Sequence, residues 1–492
     1  MNITDLFIKY PNTKPCQDHR ILEAGDIFVA IKGSTFDAHG VLHEVIAKNP
    51  AVIVVQDSSA FSKGSAAKDF KGEKIIVQNS RAAFDQLCHA YFGSPSQKLF
   101  CVGVTGTNGK TTTSHMVEFA LNQFNLGTGV IGTIDHHYAG SSLKVKKWET
   151  NLTAPGSLEF YSRLRDFVEL GAKALSVEVS SHAIDQDRMS SCEFDVGIFT
   201  NLTRDHLDYH GDMEKYFKAK EKFFTEILKN SPKKSKYAVI NQDDPYGRQI
   251  QIPKNVQKIS YGEKNSDLTY EILEQSFAGQ RLNINYQGKK YASQIHLSGQ
   301  FNILNYLATL GVLLAKQMPL SKSIEIFSNF TGVRGRLEKV ANNKGIHVFV
   351  DYAHTPDALE NVLKTLGEIR KESKNDKKII TVFGCGGDRD KGKRPIMGEI
   401  ASRMSDFAVI TSDNPRTEDP AQIIKDVEAG CAGRKNYEIE VDRKKAIEKA
   451  LNIAKNGDAV LIAGKGHEDY QIVGLTKHYF DDVEVVKEYL SK

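Results

Sequence analysis

Short apolar runs, each closed by glycine or polar residues, recur along the chain and alternate with stretches whose apolar positions fall at helical spacing. In the first part the runs are Asp26-Ile-Phe-Val-Ala-Ile31, Ala51-Val-Ile-Val-Val55 and Lys74-Ile-Ile-Val77. They predict strands of a small α/β module over residues 1–97 that ends at the turn-rich Gly93-Ser-Pro-Ser-Gln97. A second part, residues 98–333, carries Phe100-Cys-Val-Gly-Val104, Ala174-Leu-Ser-Val177, Val196-Gly-Ile-Phe199 and Tyr237-Ala-Val-Ile240, with a helix predicted over 111–124 from Met116, Val117, Phe119, Ala120 and Leu121. Strands alternating with helices imply an α/β fold built on parallel sheets buried on both faces. A third part, 334–492, begins near Gly332-Val-Arg-Gly-Arg336. It repeats the pattern with strands at 347–350, 378–383, 407–410 and 459–462 and a helix over 357–370, a Rossmann-like arrangement. The biased stretch Ser58 to Lys74 reads as a surface loop or helix, and no internal repeat is present.

Composition narrows the class. At 492 residues, three domains are expected. Lysine plus arginine (65) nearly balance aspartate plus glutamate (61), so the charge of +4 is spread too thinly for a nucleic-acid binder. Six cysteines without a CxxC spacing read as reduced thiols of a cytoplasmic protein. No run approaches the ~18 apolar residues of a membrane span, and the N-terminus has no basic start followed by an apolar core.

The chemistry concentrates in a few places. The first strand of the second part runs into Val104-Thr-Gly-Thr-Asn-Gly-Lys-Thr-Thr112. Gly106 and Gly109 let backbone N–H groups converge on phosphate oxygens, Lys110 supplies a cation and the Thr111 hydroxyl can reach a metal. The usual P-loop would place its first glycine where Val104 stands, so the spacing departs from that pattern. Glu178 and His182 follow a buried strand, where such groups need a partner or a metal. With Thr111, Glu178 and His206 could complete a magnesium site, although His206 alone reads equally well as a hydrogen-bonded structural histidine. In the third part, three strand ends run into polar, glycine-bearing loops: Gly384-Cys-Gly-Gly-Asp-Arg389, Asp413-Asn-Pro-Arg416 and Gly464-Lys-Gly-His-Glu468. Ligands of such sheets sit at strand carboxyl ends, so these loops locate a site.

With these segments, Glu178-Val-Ser-Ser-His-Ala183, Asn201-Leu-Thr-Arg-Asp-His-Leu-Asp-Tyr-His-Gly211, Gly299-Gln-Phe-Asn-Ile-Leu-Asn305 and Asp351-Tyr-Ala-His-Thr-Pro-Asp357, the chain resembles the Mur ligases over essentially its whole length. These are ATP-dependent amide-bond synthetases of peptidoglycan assembly. Their phosphate loop is G-T-N-G-K-T, which Gly106 to Thr111 reproduce. The resemblance implies three domains: an N-terminal UDP-substrate domain, a central P-loop ATPase domain and a C-terminal Rossmann-like domain. It implies that Gly106, Thr107, Asn108, Gly109, Lys110, Thr111, Thr112, Asn302, Asn305, Arg336 and Asp351 surround ATP, and that Thr111, Glu178, His206 and Lys220 hold magnesium. Lys220 matches the lysine that this family carbamylates; spacing alone would make it a surface helix lysine. Lys110, Glu178, His206 and Lys220 are the implied catalytic residues. Arg336 would reach ATP only when the third domain closes, so closure is expected in turnover.

For the nucleotide-sugar substrate the resemblance implies Arg20, Thr153, Ser180, Gln186 and Arg188, with His19, Ala154 and Arg334 departing from the family pattern. Within the family the match is to the branch that adds the third peptide residue. That implies UDP-N-acetylmuramoyl-L-alanyl-D-glutamate and meso-diaminopimelate as partners, and a chain acting as a monomer. Asp413-Asn-Pro-Arg416 matches the signature for diaminopimelate, implying a site of Arg389, Asp413, Asn414, Pro415, Arg416, Gly464 and Glu468. An Arg416 guanidinium would grip the distal carboxylate that lysine lacks and repel a bare ammonium. Competing readings are the L-lysine-adding relative, a folylpolyglutamate synthetase-like ligase and a catalytically silent sensor of a wall precursor. Intact Lys110, Glu178, His206 and Lys220 argue against the last.

Overall fold

The computed structural model describes residues 3–11, 13–33, 35–62, 65, 67–139, 145–148, 153–372 and 377–491. Residues 63, 64 and 66 of the biased stretch lie outside them; within it, Ser58–Phe61 forms a short 3₁₀ turn and a strand starts at Glu73. The chain forms two compact units, residues 1–268 with 305–320, and residues 269–304 with 321–492.

The first unit holds a four-stranded parallel sheet, Pro15–Cys16, Ile27–Val29, Val52–Val55 and Glu73–Ile76, paired in chain order. It also holds a larger sheet whose centre is parallel: Gln257–Tyr261, Tyr237–Asn241, Val196–Phe199, Phe100–Thr105, Ala174–Glu178 and Thr128–Ile131, in that spatial order. Every residue of Val196–Phe199 and Ala174–Glu178 is buried, as expected of strands covered on both faces. The expected all-parallel sheet is corrected at one edge, where His136–Ala139 and Val145–Trp148 run antiparallel. Lysines 146 and 147 on the outermost strand discourage further pairing. Gly103 lets aromatic side chains come close: a Cβ there would lie 2.5 Å from the Phe223 ring and 2.9 Å from Phe194.

The second unit contains the strands Gly279–Tyr286 and Lys289–Ile295, paired antiparallel, and a six-stranded sheet. The latter runs Glu338–Val340, His347–Asp351, Ala459–Ala463, Ile379–Phe383, Phe407–Ile410 and Tyr437–Ile439, parallel except for its first strand. Ala459–Ala463, the last strand of this sheet in the chain, is inserted between His347–Asp351 and Ile379–Phe383, so the carboxyl ends of these three parallel strands lie side by side, the end at which ligands of such sheets bind.

At the end of Ala459–Ala463, Arg443 and Asp482, both fully buried, form a bidentate pair (Nε–Oδ1 2.8 Å, Nη2–Oδ2 2.7 Å), and Arg443 also donates to the Ala463 carbonyl at 3.1 Å. Removing one partner strands a buried charge. Asp482→Ala is therefore expected to destabilise this unit by ~3–5 kcal/mol, read as a lower urea midpoint; an unchanged midpoint would show the pair to be energetically idle.

Candidate active site

The parallel register sets Val104 beside Glu178 and Thr105 beside Phe199, so three strand ends deliver the phosphate loop, Glu178 and the 200–206 segment side by side. The loop opens into the helix Lys110–Gln123. Gly106 (φ +148°) and Gly109 (φ +85°) adopt backbone conformations that disfavour side chains, and a Cβ would meet Thr200 Oγ1 at 1.9 Å and Asn305 Oδ1 at 2.5 Å, respectively. The 200–203 segment clasps the loop. Thr107 N donates to Asn201 O (2.8 Å), Asn108 N to Asn201 Oδ1 (2.8 Å), and Thr200 Oγ1 to Asn108 O (2.6 Å). Lys110 curls back onto the Gly106 and Thr107 carbonyls (3.0 and 2.7 Å), and Thr113 donates to Asn305 Oδ1.

Lys220 lies near the end of the helix Met213–Lys222, just before a π-helical turn at Phe223–Leu228. Its side chain is buried, 1% exposed, and its Nζ donates to the same Gly106 carbonyl at 2.8 Å, over the Tyr216 ring. Burial, and then the Lys110 ammonium, hold its pKa well below that of an ordinary lysine, which favours the neutral amine. Tyr216 OH lies 3.1 Å from Thr107 Oγ1, tying the same helix to the loop.

Glu178 is buried and accepts from Thr133 N (2.9 Å) and Thr133 Oγ1 (3.0 Å); a Cβ on Gly132 would strike its Oε1. His206 sits in a left-handed conformation at the start of the short helix Leu207–His210, its ring edge-on to His182 and Tyr216. Burial lowers its pKa, with Lys110 and Lys220 pushing the same way against Asp205, so a ring lone pair is accessible near neutral pH. A hydroxyl on buried Thr111, the Glu178 carboxylate and this imidazole form a donor set compatible with magnesium.

A cleft of about 270 Å³ in the same unit is lined by Gln17, Ile31, Arg81, Phe84, Gly156, Ser157, Gln186 and Arg188. Arg188 donates to Gln186 Oε1 (3.1 and 2.6 Å) and to the Ala154 carbonyl (2.9 Å), which fixes its guanidinium. Of the expected substrate residues, Gln186 and Arg188 line this cleft. Ser180 instead caps the helix Ser181–Asp185, Thr153 Oγ1 meets Thr133 Oγ1 at 3.1 Å, and Arg20 is clamped to Asp18 (Nη2–Oδ2 2.7 Å), holding that carboxyl down at about 2. His19 stacks on Phe36.

In the second unit the three loops do converge. Arg416 donates to the Gly387 carbonyl (2.8 Å), and a Cβ on Gly386 would lie 2.9 Å from its Nη1 and 3.9 Å from Arg389 Cγ. Asn414 donates to Glu468 Oε2 (2.9 Å), while a Cβ on Gly464 would meet Asp413 Oδ2 at 2.7 Å. Arg416 is left-handed (φ +51°), a strain on a non-glycine residue that the neighbouring bonds Arg416 N to Ile472 O and Gly474 N to Arg416 O maintain. Asp351 anchors a fourth strand end by accepting from Leu337 N (2.6 Å) and Ala353 N (2.8 Å), next to Arg336 over the Tyr352 ring. Asn302 donates to the Ser298 carbonyl.

The family model described as Mur ligase middle domain matches residues 104–313, and that described as Mur ligase, glutamate ligase domain matches residues 335–466. The chain belongs to the Mur ligase family. A relative from Geobacter metallireducens, named UDP-N-acetylmuramoyl-L-alanyl-D-glutamate--2,6-diaminopimelate ligase, is 40% identical over 487 residues, covering 95% of this chain and 92% of its own. A relative of the same name from Aquifex aeolicus is 42% identical over 470 residues, covering 96% and 92%. A solved structure of a ligase with that name is similar at a TM-score of 0.70 and 31% identity, covering 97% of this chain and 94% of its own. As a Mur ligase the chain is an ATP-dependent ligase.

Sequence reasoning missed several residues of this Mur ligase that packing brings to the sites. Arg81 and Gln17 enter the cleft from the first sheet's segment, Thr133 holds Glu178, and Lys465, fully buried, lies 3.3 Å from Asn414 Oδ1 and 3.4 Å from Glu468 Oε2. Arg443 Nη1 lies 3.8 Å from Asp413 Oδ2. Lys465 was within reach of sequence reasoning, since it stands inside the Gly464–Glu468 motif. No helix among the described residues is long and apolar enough to cross a membrane, and all six cysteines are free and buried.

Proposed function

We propose that this Mur ligase joins meso-2,6-diaminopimelate to the D-glutamyl residue of UDP-N-acetylmuramoyl-L-alanyl-D-glutamate, in the cytoplasm, at the cost of one ATP. The observation that carries the specificity is the strained, anchored Arg416 among the Gly384–Arg389 and Gly464–Glu468 loops. Its fork suits a distal carboxylate, and Arg389, Asp413, Asn414, Pro415, Gly464 and Glu468 would frame the amino acid around it.

The glutamyl side-chain carboxylate attacks the γ-phosphorus of ATP, giving an acyl phosphate and ADP; the diaminopimelate amine then adds to the acyl carbon, and phosphate leaves. Lys110 and the amides of Gly106 to Thr112 would hold the phosphates, with Asn302, Asn305, Arg336 and Asp351 around the rest of the nucleotide. Thr111, Glu178, His206 and Lys220 would hold magnesium. When bound, it offsets the negative charge that gathers where carboxylate and phosphate meet. A depressed pKa keeps the Lys220 amine in the form that adds CO2, yielding a carbamate and a proton and exchanging a cation for an oxygen-donor anion. Arg188 and Gln186 would bind the acidic dipeptide in the cleft, with Ser180 and Thr153 nearer Glu178, and Arg20 on the uridine side.

Incubation with ATP, magnesium, the UDP-muramoyl dipeptide and meso-diaminopimelate should release phosphate together with a product heavier by one diaminopimelyl residue. Phosphate release without that product would reduce the chain to an ATPase, and neither would favour the silent sensor.

A further inference from the structure

Among the described residues, one group of three ligand-type side chains has donor atoms all within 4.8 Å of one another: His115, Glu118 and His137. None of them belongs to the sites above. His115 and Glu118 stand three residues apart on the helix Lys110–Gln123, hence on one face of it, and His137 belongs to the strand His136–Ala139. Glu118 reaches both imidazoles, with Oε2 3.4 Å from His115 Nδ1 and Oε1 2.8 Å from His137 Nε2. The two rings stack at 5.5 Å with planes 15° apart. The side chains are 17%, 12% and 9% exposed, so the cluster is largely dry yet open on one side.

His137 has a further partner. Its Nδ1 lies 2.5 Å from Asp135 Oδ1, so Nε2 is the nitrogen presented to Glu118, and Lys147 lies 3.3 Å from the other Asp135 oxygen. A metal-bound histidine is commonly oriented in this way, with one nitrogen toward the ion and the other toward a carboxylate. Without an ion, a proton takes that place. Burial works against the imidazolium, but Asp135 and Glu118 outweigh it and raise His137 to about 9, while Glu118 is held at about 2 by its two histidines despite its own burial. That proton bridges one Glu118–His137 contact; an ion would engage all three side chains.

We propose that His115, Glu118 and His137 form a binding site for a divalent transition ion of the zinc class, with Asp135 orienting His137 and a fourth position open to water. The donor type selects the ion: two imidazoles and one carboxylate suit zinc, cobalt or nickel better than magnesium. The spacing agrees, because a tetrahedron with bonds of ~2.0–2.1 Å has edges of ~3.3–3.4 Å. The two contacts, His115 Nδ1 to Glu118 Oε2 at 3.4 Å and His137 Nε2 to Glu118 Oε1 at 2.8 Å, lie within about 0.5 Å of that edge but end on different oxygens, so binding requires the carboxylate to rotate until one oxygen faces both imidazoles. Such an ion would clip the phosphate-loop helix to the hairpin whose turn carries Thr133, the residue that holds Glu178. Glu118 lies eight residues along the helix from Lys110, ~12 Å away, so the ion would act on the rigidity of the site without touching ATP.

The test titrates the chelator-stripped, full-length protein with cobalt in excess magnesium and follows its visible spectrum, with zinc titrated calorimetrically in two buffers of different ionisation enthalpy. One equivalent of tetrahedral nitrogen/oxygen cobalt, zinc binding with release of about one proton, and loss of both in His115→Gln are expected. Asp135→Asn should weaken zinc by about 10- to 100-fold. Circular dichroism identical to that of the unsubstituted protein would show that His115→Gln, a change at the partly exposed edge, remains folded; Glu118→Gln provides the second variant if it does not. Cobalt–thiolate bands, octahedral cobalt only, or equal zinc affinity in the variants would overturn the proposal and leave the cluster an ion-pair network.

Discussion

Arg416→Ala is expected to raise the KM for meso-diaminopimelate by about 10²-fold or more, with ATP binding unchanged. Removing one member of a desolvated, hydrogen-bonded charge pair costs ~2–5 kcal/mol, and the guanidinium is proposed to contact the one carboxylate that separates this amino acid from lysine. Alanine keeps the Cβ and with it the strain of a left-handed residue at φ +51°, so the substitution removes the guanidinium without relieving the backbone, and specificity falls with no gain in stability. Arg416→Lys distinguishes charge from geometry: it keeps a cation but loses the two-pronged fork, and partial recovery at most is expected. An unchanged KM in Arg416→Ala would remove this residue from the amino-acid site.

Lys220→Ala should lower kcat by about 10²- to 10³-fold, the scale on which a single stabiliser of transition-state charge acts, with a smaller effect on the KM for ATP. The distinction from a structural role lies in the carbamate. Isotopically labelled bicarbonate should give a carbamate resonance in carbon NMR of the unsubstituted protein, absent in Lys220→Ala and in Lys220→Arg, whose guanidinium stays protonated. The cause is visible in the geometry: Lys110 and Lys220 share the Gly106 carbonyl, and two ammonium groups there repel inside a buried site. Full activity in Lys220→Ala would refute the role. Normal activity in the unsubstituted protein without the carbamate signal would refute the modification.

What could be read from the chain was what lies close together along it. The phosphate loop is a contiguous strand, turn and helix, so its glycines, Lys110 and Thr111 announce themselves, and the buried strands of both parallel sheets follow directly from their valine and isoleucine runs. The strands Leu268–Ser276, Gly279–Tyr286 and Lys289–Ile295 did not, because their buried apolar residues, such as Leu268, Tyr270, Leu282, Ile284 and Ile295, are spaced among polar and exposed positions instead of forming a dense apolar run. The cleft was only half legible: Gln186 and Arg188 were implied by the family resemblance, whereas Arg81 and Gln17 arrive by packing of the first sheet's segment. His115, Glu118 and His137 were invisible for the same reason, since a helix face and a hairpin strand meet only in three dimensions.

The central claim is the choice of amino acid, and the most direct test is kcat/KM for phosphate release with ATP and the UDP-muramoyl dipeptide, measured side by side for meso-diaminopimelate and L-lysine. The account predicts a preference for meso-diaminopimelate of about 10³-fold or more, because a site built to pair a carboxylate leaves its guanidinium unpaired against lysine. Equal efficiencies, or a preference for lysine, would contradict it.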